Sequence, residues 1–322
     1  MQTVLVIGGA GYIGSHCARE LREHGWRVRV FDDLSTGHRQ AVHDELVVGD
    51  IRDMEALRGA VRGTHAVMHF AARALVGEST RRPSLYFQVN VGGVANLVEA
   101  MVEEGVQDLV FSSSCSVYGT PASAPVTEDC PKAPESPYGL SKWMAEQVLD
   151  AARERQGLRV ACLRYFNASG AHPDGTLGES HDPETHLIPL ALEAAQGHRP
   201  PLRLFGRDYP TPDGTCIRDY VHVCDLASAH RLALQHLSSG HPGRSWNLGT
   251  GTGTSVLEVL GAVERATGRP VPTFDAPRRD GDPARVWAMA DRAMRDLAWV
   301  PQSPAIDTIV EDAWRWTQER RY

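Results

Sequence analysis

The chain of 322 residues carries 33 lysines and arginines against 40 aspartates and glutamates, a formal charge of −7, and 42% of its residues are hydrophobic. These are the proportions of a folded globular protein, and they exclude collagen-like, disordered and phosphate-tracking nucleic-acid-binding classes. No apolar run approaches the ~18 residues of a membrane span, the N-terminus lacks signal-peptide features, and the six cysteines show no metal-ligand spacing, so we expect a cytoplasmic protein without metal, membrane or nucleic-acid partners.

The first half of the chain alternates short apolar runs with segments of helical period. Strands are predicted at residues 3–7, 27–31, 46–48, 66–70, 109–111 and 159–163, since most of these runs are apolar throughout, as in strands covered on both faces. Helices are predicted near residues 13–21, at 90–103 and at 141–155 from apolar residues that recur three and four apart. Strands that alternate with helices predict an α/β fold with a doubly wound parallel sheet.

The alternation of strands and helices ends near residue 167. Proline and glycine become denser beyond this point, and the apolar runs become shorter and more isolated. We expect residues 1–167 to form one domain and residues 168–322 a smaller, loop-rich domain that closes over a ligand, with some late segments returning to the first domain.

A glycine-rich loop follows the first predicted strand and opens the first helix. Its sequence is GGAGYIG over residues 8–14, and Asp32 stands at the end of the second strand. Such a loop lets the backbone approach a pyrophosphate, whose charge is stabilised by the N-terminus of the helix. An acid about 20 residues further on accepts hydrogen bonds from an adenosine ribose and disfavours a 2′-phosphate, which predicts NAD.

A serine-rich strand end and a Tyr-x-x-x-Lys pair predict acid–base chemistry. Ser114 follows the predicted strand at 109–111, and Tyr138 and Lys142 stand four residues apart, on one face of a helix. A lysine beside a phenol stabilises the phenolate, so we expect the pKa of Tyr138 to fall from ~10 toward neutrality. Ser114 can hydrogen-bond to the same substrate hydroxyl. Tyr118 is excluded from such a pair because Ala122 stands four residues after it.

At this point the sequence resembles the extended short-chain dehydrogenase/reductase family, and within it the UDP-glucose 4-epimerase branch. The resemblance covers nearly the whole chain. It is carried by GGAGYIGSH (8–16), FAARALVGES (70–79), FSSSCSVYG (111–119), LRYFN (163–167), THLIP (185–189), LFGRDYPTPDGTCIRDYVHV (204–223), WNLGTG (246–251) and RRDGDPARVW (278–287).

The resemblance implies a reversible epimerisation at C4 of UDP-glucose and UDP-galactose. NAD stays bound, Tyr138 takes the proton of the 4-hydroxyl while hydride passes to the nicotinamide, and the 4-keto sugar turns before the hydride returns. Lys142 would hold the nicotinamide ribose. The first domain would be an NAD-binding Rossmann domain and the second would bind the UDP-sugar. Relatives are commonly homodimers, and the helices at 90–103 and 141–155 would pair with a second subunit.

The same resemblance implies two sets of binding residues, besides the catalytic Tyr138, Lys142 and Ser114. The cofactor set, which shares Tyr138 and Lys142, comprises Gly8, Gly11, Tyr12, Ile13, Gly14, Asp32, Asp33, Ser35, Thr36, Gly37, Asp50, Ile51, Phe70, Ala71, Ala72, Asn90, Ser112, Tyr165 and Phe166. The substrate set, which shares Ser114 and Tyr138, comprises Asn167, His186, Leu187, Leu204, Phe205, Arg218, Arg279, Asp282 and Val286.

Three positions depart from the family pattern. Arg73 and Ala74 replace small polar residues or a lysine, and Thr185-His186 replaces an Asn-Asn pair. Val286 stands where some relatives have a tyrosine beside the hexose. We expect this smaller side chain to leave room for a 2-acetamido group, so that N-acetylated UDP-hexosamines are also substrates.

Three alternative functions were weighed. A 4,6-dehydratase needs a carboxylate at the serine strand, where this chain has Ser114-Cys115-Ser116. A UDP-uronate epimerase or decarboxylase stays open, because Arg73 could bind a uronate carboxylate. A non-catalytic NAD(P)-sensing regulator is disfavoured, since such proteins commonly lose the Tyr–Lys pair that this chain retains.

Overall fold

The computed structural model describes residues 1–279 and 281–322. Its strands are β1 Thr3–Ile7, β2 Arg27–Asp32, β3 Glu45–Val48, β4 Ala66–His69, β5 Asp108–Ser112, β6 Arg159–Tyr165, β7 Asn167–Ser169, β8 Leu202–Phe205, β9 Ile217–Arg218, β10 Tyr220–His222, β11 Ser245–Leu248, β12 Thr254–Ser255, β13 Thr273–Ala276 and β14 Arg285–Val286. Its α-helices are α1 Tyr12–Glu23, α2 Met54–Val61, α3 Val76–Arg81, α4 Pro83–Tyr86, α5 Gly93–Glu103, α6 Pro137–Gln156, α7 Leu187–Gln196, α8 Val223–Ser238, α9 Val256–Thr267, α10 Asp291–Leu297 and α11 Ile306–Gln318.

The centre of the protein is a seven-stranded sheet with the order β11-β6-β5-β4-β1-β2-β3. Every neighbouring pair in it is parallel. Alternate residues of β1 face opposite sides: Val4 and Val6 pack with α1 and α8, whereas Leu5 and Ile7 pack with α2, α5 and α6. The sheet is therefore buried on both faces, and the doubly wound α/β fold predicted from the sequence is confirmed.

Two predictions from the sequence differ from the observed elements. The central sheet has a seventh strand, β11, which comes from the second half of the chain and pairs with β6. The helix predicted at 90–103 is α5, which begins at Gly93 and is preceded by a π-helical turn at Phe87–Gly92. Such turns change the direction of side chains, and this one contains Asn90, whose amide holds the backbone of Arg73.

The second half of the chain is more regular than the sequence indicates. Its helices α7, α9 and α11 enclose a separate apolar cluster together with β8. Two small sheets flank this cluster, one of β8 and β13 and one in which β9 lies between β12 and β14. α8 instead packs on α1, against the central sheet.

Two further features were examined in the described residues. None of the helices there is long and apolar enough to cross a membrane. All six cysteines are free thiols; Cys17 and Cys162 are buried and the other four are half-buried.

Candidate active site

The loop between β1 and α1 is shaped for a phosphate group. Gly8 has a φ of +78°, and a Cβ added there would lie 2.5 Å from the backbone nitrogen of Ala71. A Cβ at Gly14 would lie 2.2 Å from the carbonyl oxygen of Gly8, so both glycines are required. Within the described residues, no side chain caps α1 at Gly11 and its first turn has no acid. Its N-terminal N–H groups can therefore bind a pyrophosphate, which fits a dinucleotide.

Asp32 lies beside this loop at the end of β2. Its carboxylate accepts hydrogen bonds from the backbone nitrogens of Ala10, at 2.9 Å, and Leu34, at 2.8 Å. Burial raises the pKa of Asp32, and the two backbone hydrogen bonds oppose this shift. The backbone of His38, which follows the predicted residues 35–37, bonds to the carbonyl of Ala10 at 2.8 Å. The segment after β2 thus folds back on the phosphate loop.

The remaining cofactor positions follow β3 and β4 at the same edge of the sheet. Asp50 forms an ion pair of 2.5 Å with Arg52, and this hydrogen bond lowers the pKa of Asp50, with a smaller contribution from the charge of Arg73. Ile51 is buried, Phe70 packs on His230, and Ala71 and Ala72 follow directly.

Tyr138 and Ser114 are brought together by β5 and α6. Ser114 follows β5, and Tyr138 is the second residue of α6, whose first turn is capped by the side chain of Ser136. Close packing holds this turn against the serine segment, because a Cβ at Gly139 would lie 2.5 Å from the carbonyl oxygen of Ser116. The side chain of Ser114 lies near enough to Tyr138 to lower its pKa against the effect of burial, while its own hydroxyl donates to Oγ of Ser116 at 3.1 Å. The side chains of Tyr138 and Ser114 are therefore neighbours at the carboxyl edge of the parallel sheet.

The prediction of a lowered pKa for Tyr138 is wrong in this structure. Burial raises the pKa of Tyr138 to about 12, and the neighbouring side chain of Ser114 opposes the shift. Lys142 lies one turn further along α6, but its Nζ donates to the carbonyl oxygen of Ser112 at 2.8 Å. Burial also lowers the pKa of Lys142 to about 8, opposed by the charge of Glu146. For both groups, desolvation therefore has a larger effect on the pKa than the presence of the other group one helical turn away.

Behind Lys142 lies an ion-pair network that the sequence analysis missed. Glu146 accepts hydrogen bonds from Arg164 at 2.9 and 2.5 Å and from Ser113 at 2.5 Å. Arg164 also donates to the hydroxyl of Tyr118 at 2.9 Å. Glu146 follows Lys142 by four residues, so the spacing that pairs Tyr138 with Lys142 could have indicated it. The network uses the hydroxyl of Tyr118 as a hydrogen-bond partner, and it connects Ser113, which follows β5, to α6.

The predicted substrate residues converge from the second half of the chain. Arg218 on β9 forms an ion pair with Asp282. Arg279 stacks on the ring of Phe205 at 4.0 Å, which leaves the edge of its guanidinium for a further ligand. Two arginines of this kind suit a diphosphate.

The other substrate positions differ in what they present. The amide nitrogen of Asn167 donates to the backbone of Asp219 at 2.8 Å. His186 caps the start of α7, and Leu187 is its first residue. Leu204 is 2% exposed and belongs to the apolar cluster of the second half, so only its backbone can reach a ligand.

Phe166 and Val286 connect the substrate side with the serine segment. Both belong to an apolar cluster with Val117 and Val126, against which Cys115 packs. Burial raises the pKa of the Cys115 thiol to about 12, and the charge of Arg218 opposes this shift. The segment that follows Ser114 therefore lies beside three of the predicted binding residues, Phe166, Val286 and Arg218. Tyr165, another predicted cofactor residue, is hydrogen-bonded to Ser112.

The chain was compared with known proteins. It matches the NAD dependent epimerase/dehydratase family over residues 4–249. It is 47% identical over 320 residues to the UDP-glucose 4-epimerase of Halalkalibacterium halodurans, covering 98% of this chain and 96% of that protein. The crystal structure of the Brucella ovis UDP-glucose 4-epimerase in complex with NAD superimposes with a TM-score of 0.96 at 47% identity over 98% of both chains. The UDP-Glc/GlcNAc 4-epimerase of Campylobacter jejuni gives 0.87 at 37% identity over 99% of this chain and 100% of that one.

Proposed function

Because the chain belongs to the NAD dependent epimerase/dehydratase family, we propose that it reversibly inverts C4 of UDP-glucose and UDP-galactose with a bound NAD. The observation that carries this proposal is the placement of Tyr138 beside Ser114, at the sheet edge that also carries the phosphate loop. A UDP-uronate specificity would rest on Arg73, whereas relatives that match over nearly the whole chain are named UDP-glucose 4-epimerase. A non-catalytic sensor would have no need of the retained Tyr138 and Lys142.

Tyr138 and Ser114 perform the proton transfer. Burial raises the pKa of Tyr138, and the neighbouring side chain of Ser114 opposes this shift, which favours the phenolate. The phenolate accepts the proton of the 4-hydroxyl as the bond to hydrogen at C4 breaks, and it returns this proton after the 4-keto sugar has turned. Bound NAD supplies the hydride acceptor and donor, and its positive charge further favours the phenolate.

Lys142 and the arginines position the reactants. Nζ of Lys142 donates one hydrogen bond to the carbonyl oxygen of Ser112, and its remaining hydrogens can be donated to the nicotinamide ribose. Arg218 and Arg279 bind the diphosphate of the UDP-sugar, while the hexose turns between the oxidation at C4 and the reduction of the 4-keto sugar. Both faces of C4 must reach the same oxidant. This is possible when the diphosphate is held firmly and the sugar is held loosely.

Val286 supports an extension to N-acetylated UDP-hexosamines. Its side chain is smaller than a tyrosine and lies in the apolar cluster with Phe166. The Campylobacter jejuni relative is named for both UDP-Glc and GlcNAc. A rate on UDP-N-acetylglucosamine below about 1% of the rate on UDP-glucose would contradict this extension.

We further propose a homodimer in the cytoplasm. Four apolar side chains that are 38–49% exposed lie on neighbouring helices: Val76 on α3, Val102 on α5, and Leu140 and Met144 on α6. The six free thiols suit a reducing compartment. Light scattering of wild type and of Met144→Lys tests the dimer; a monomer of wild type at micromolar concentration would contradict it.

The test of the main proposal is turnover of UDP-galactose by the purified protein without added cofactor. Tyr138→Phe is expected to lower kcat by at least ~10²-fold, the scale of a lost acid–base group. Tyr118→Phe removes a hydroxyl from the ion-pair network and is expected to lower the melting temperature rather than kcat. A Tyr138→Phe protein near the wild-type rate would show that another base is used.

A further inference from the structure

Four side chains between β7 and α7 converge on one point. They are Glu179, His181, Glu184 and His186, here called the Glu–His cluster, and their ligand atoms all lie within 4.8 Å of one another. The carboxylates are 6% and 10% exposed, whereas the imidazoles of His181 and His186 are 31% and 49% exposed. The sequence analysis predicted no metal site, since it considered only the spacing of cysteines.

One contact within the Glu–His cluster, between Nδ1 of His186 and Glu184, has the geometry of a hydrogen bond, and the other nitrogen–oxygen contacts there do not. Nδ1 of His186 lies 2.8 Å from Glu179 and 2.9 Å from Glu184, yet it carries at most one hydrogen. Nδ1 of His181 lies 3.3 and 3.6 Å from the same two carboxylates. This atom is buried and makes no hydrogen bond within the described residues. Both nitrogens thus face a common centre between the carboxylates.

We propose that the Glu–His cluster binds one divalent cation, with zinc favoured, through two imidazole nitrogens and two carboxylate oxygens. Ligands about 2.0–2.1 Å from a tetrahedral zinc are roughly 3.3 Å from one another. The nitrogen–oxygen separations, which involve Oε1 of Glu179 and both oxygens of Glu184, range from 2.8 to 3.6 Å and bracket this value. Mixed imidazole and carboxylate donors suit zinc and other first-row transition metals.

The surroundings of the Glu–His cluster favour a cation. Two carboxylates that are mostly withdrawn from water require compensation of their charge. The carboxylate of Glu184 is oriented by the backbone nitrogens of Thr185, at 2.7 Å, and His186, at 2.9 Å. The partly exposed imidazoles give an ion a path from solvent.

The ion would connect two parts of the candidate active site. His186 and Leu187 begin α7 on the substrate side, and the ring of His181 meets the ring of Tyr12 edge-on at 6.3 Å. Coordination of His186 through Nδ1 leaves the remaining hydrogen on Nε2, where it can donate to a ligand. The ion positions this segment, and no step of the epimerisation passes through it.

Metal titration of the untagged holoenzyme tests the proposal. Protein treated with a chelator and desalted is titrated with Zn²⁺ alone by calorimetry, and with Co²⁺ by visible absorption, which distinguishes tetrahedral from octahedral coordination. We expect one ion per chain and a tetrahedral cobalt spectrum. His181→Asn and Glu184→Gln should each weaken binding at least about tenfold, as the loss of one ligand requires.

His172→Asn is the matched control. Nδ1 of His172 also lies 2.8 Å from a carboxylate, but it faces Asp174 alone, so this variant should bind the ion like wild type. The absence of saturable binding by wild type would overturn the proposal. Binding that is unchanged in both His181→Asn and Glu184→Gln would do so as well. The measurement is independent of epimerase turnover, so either proposal can fail alone.

Discussion

Replacing Glu146 by glutamine tests whether the buried network supports the catalytic helix. Glu146 and Arg164 are 1% and 4% exposed and form two hydrogen bonds, at 2.9 and 2.5 Å. The variant keeps the shape of the side chain and a partner for Ser113, but it leaves the guanidinium as a buried charge. An arginine side chain keeps its proton even when it is buried, so the guanidinium cannot remove its unpaired charge by deprotonation.

The free energy of unfolding that Glu146→Gln loses depends on the burial of the ion pair rather than on the distance between its atoms. Removing one partner of a buried ion pair costs about 3–5 kcal/mol. For a chain of this size the melting temperature would fall by about 4–7 °C. Thermal melting followed by circular dichroism, with saturating NAD for both proteins, measures this shift.

The exposed pair of Arg265 and Asp307 provides the control. Its separation is also 2.5 Å, but the two side chains are 60% and 52% exposed. Asp307→Asn should therefore cost less than about 1 kcal/mol, because water screens the pair. Equal destabilisation by Glu146→Gln and Asp307→Asn would refute the reasoning from burial.

Three further outcomes are expected. Gly14→Ala places a Cβ 2.2 Å from a carbonyl oxygen of the phosphate loop and should abolish co-purification of NAD, seen in the absorption spectrum, while circular dichroism still shows a folded chain. Ser114→Ala removes the hydroxyl that lowers the pKa of Tyr138, so the rise of kcat with pH should move to more alkaline pH; an unchanged profile would contradict this role of Ser114. Burial lowers the pKa of His16 and His69 to about 3 and that of His230 to about 4. The unfolded chain therefore binds more protons than the folded chain below pH ~6.5, and urea unfolding should show roughly 5 kcal/mol less stability at pH 5 than at pH 7. A free energy of unfolding that does not change between these pH values would contradict this expectation.

The first six strands could be predicted because their side chains are apolar on both faces. β11 could not, since it has only four residues and includes Ser245 and Asn247. The amide of Asn247 is satisfied by Tyr118 and by the backbone of Val126, which stand more than a hundred positions earlier in the chain. Tertiary hydrogen bonds of this kind leave no periodic pattern in a sequence.

The spacing of Tyr138 and Lys142 indicated the catalytic pair, but not its electrostatics. The pKa of Tyr138 depends on burial beneath other elements, which helical spacing does not report. Glu146 has the same four-residue spacing, yet its partner Arg164 comes from β6. The Glu–His cluster was missed for a different reason, because its segment lies outside any helix or strand and only the folded backbone brings the four side chains together.

The long stretch of sequence between β6 and its sheet neighbour β11 affects folding during synthesis. During synthesis β6 emerges long before Ser245, and until then one side of β6 has no neighbour. An unpaired strand of this kind, apolar on both faces, can join other chains. A nascent polypeptide that pauses on the ribosome between these strands would be prone to aggregate, so shielding by chaperones matters most over this stretch of translation.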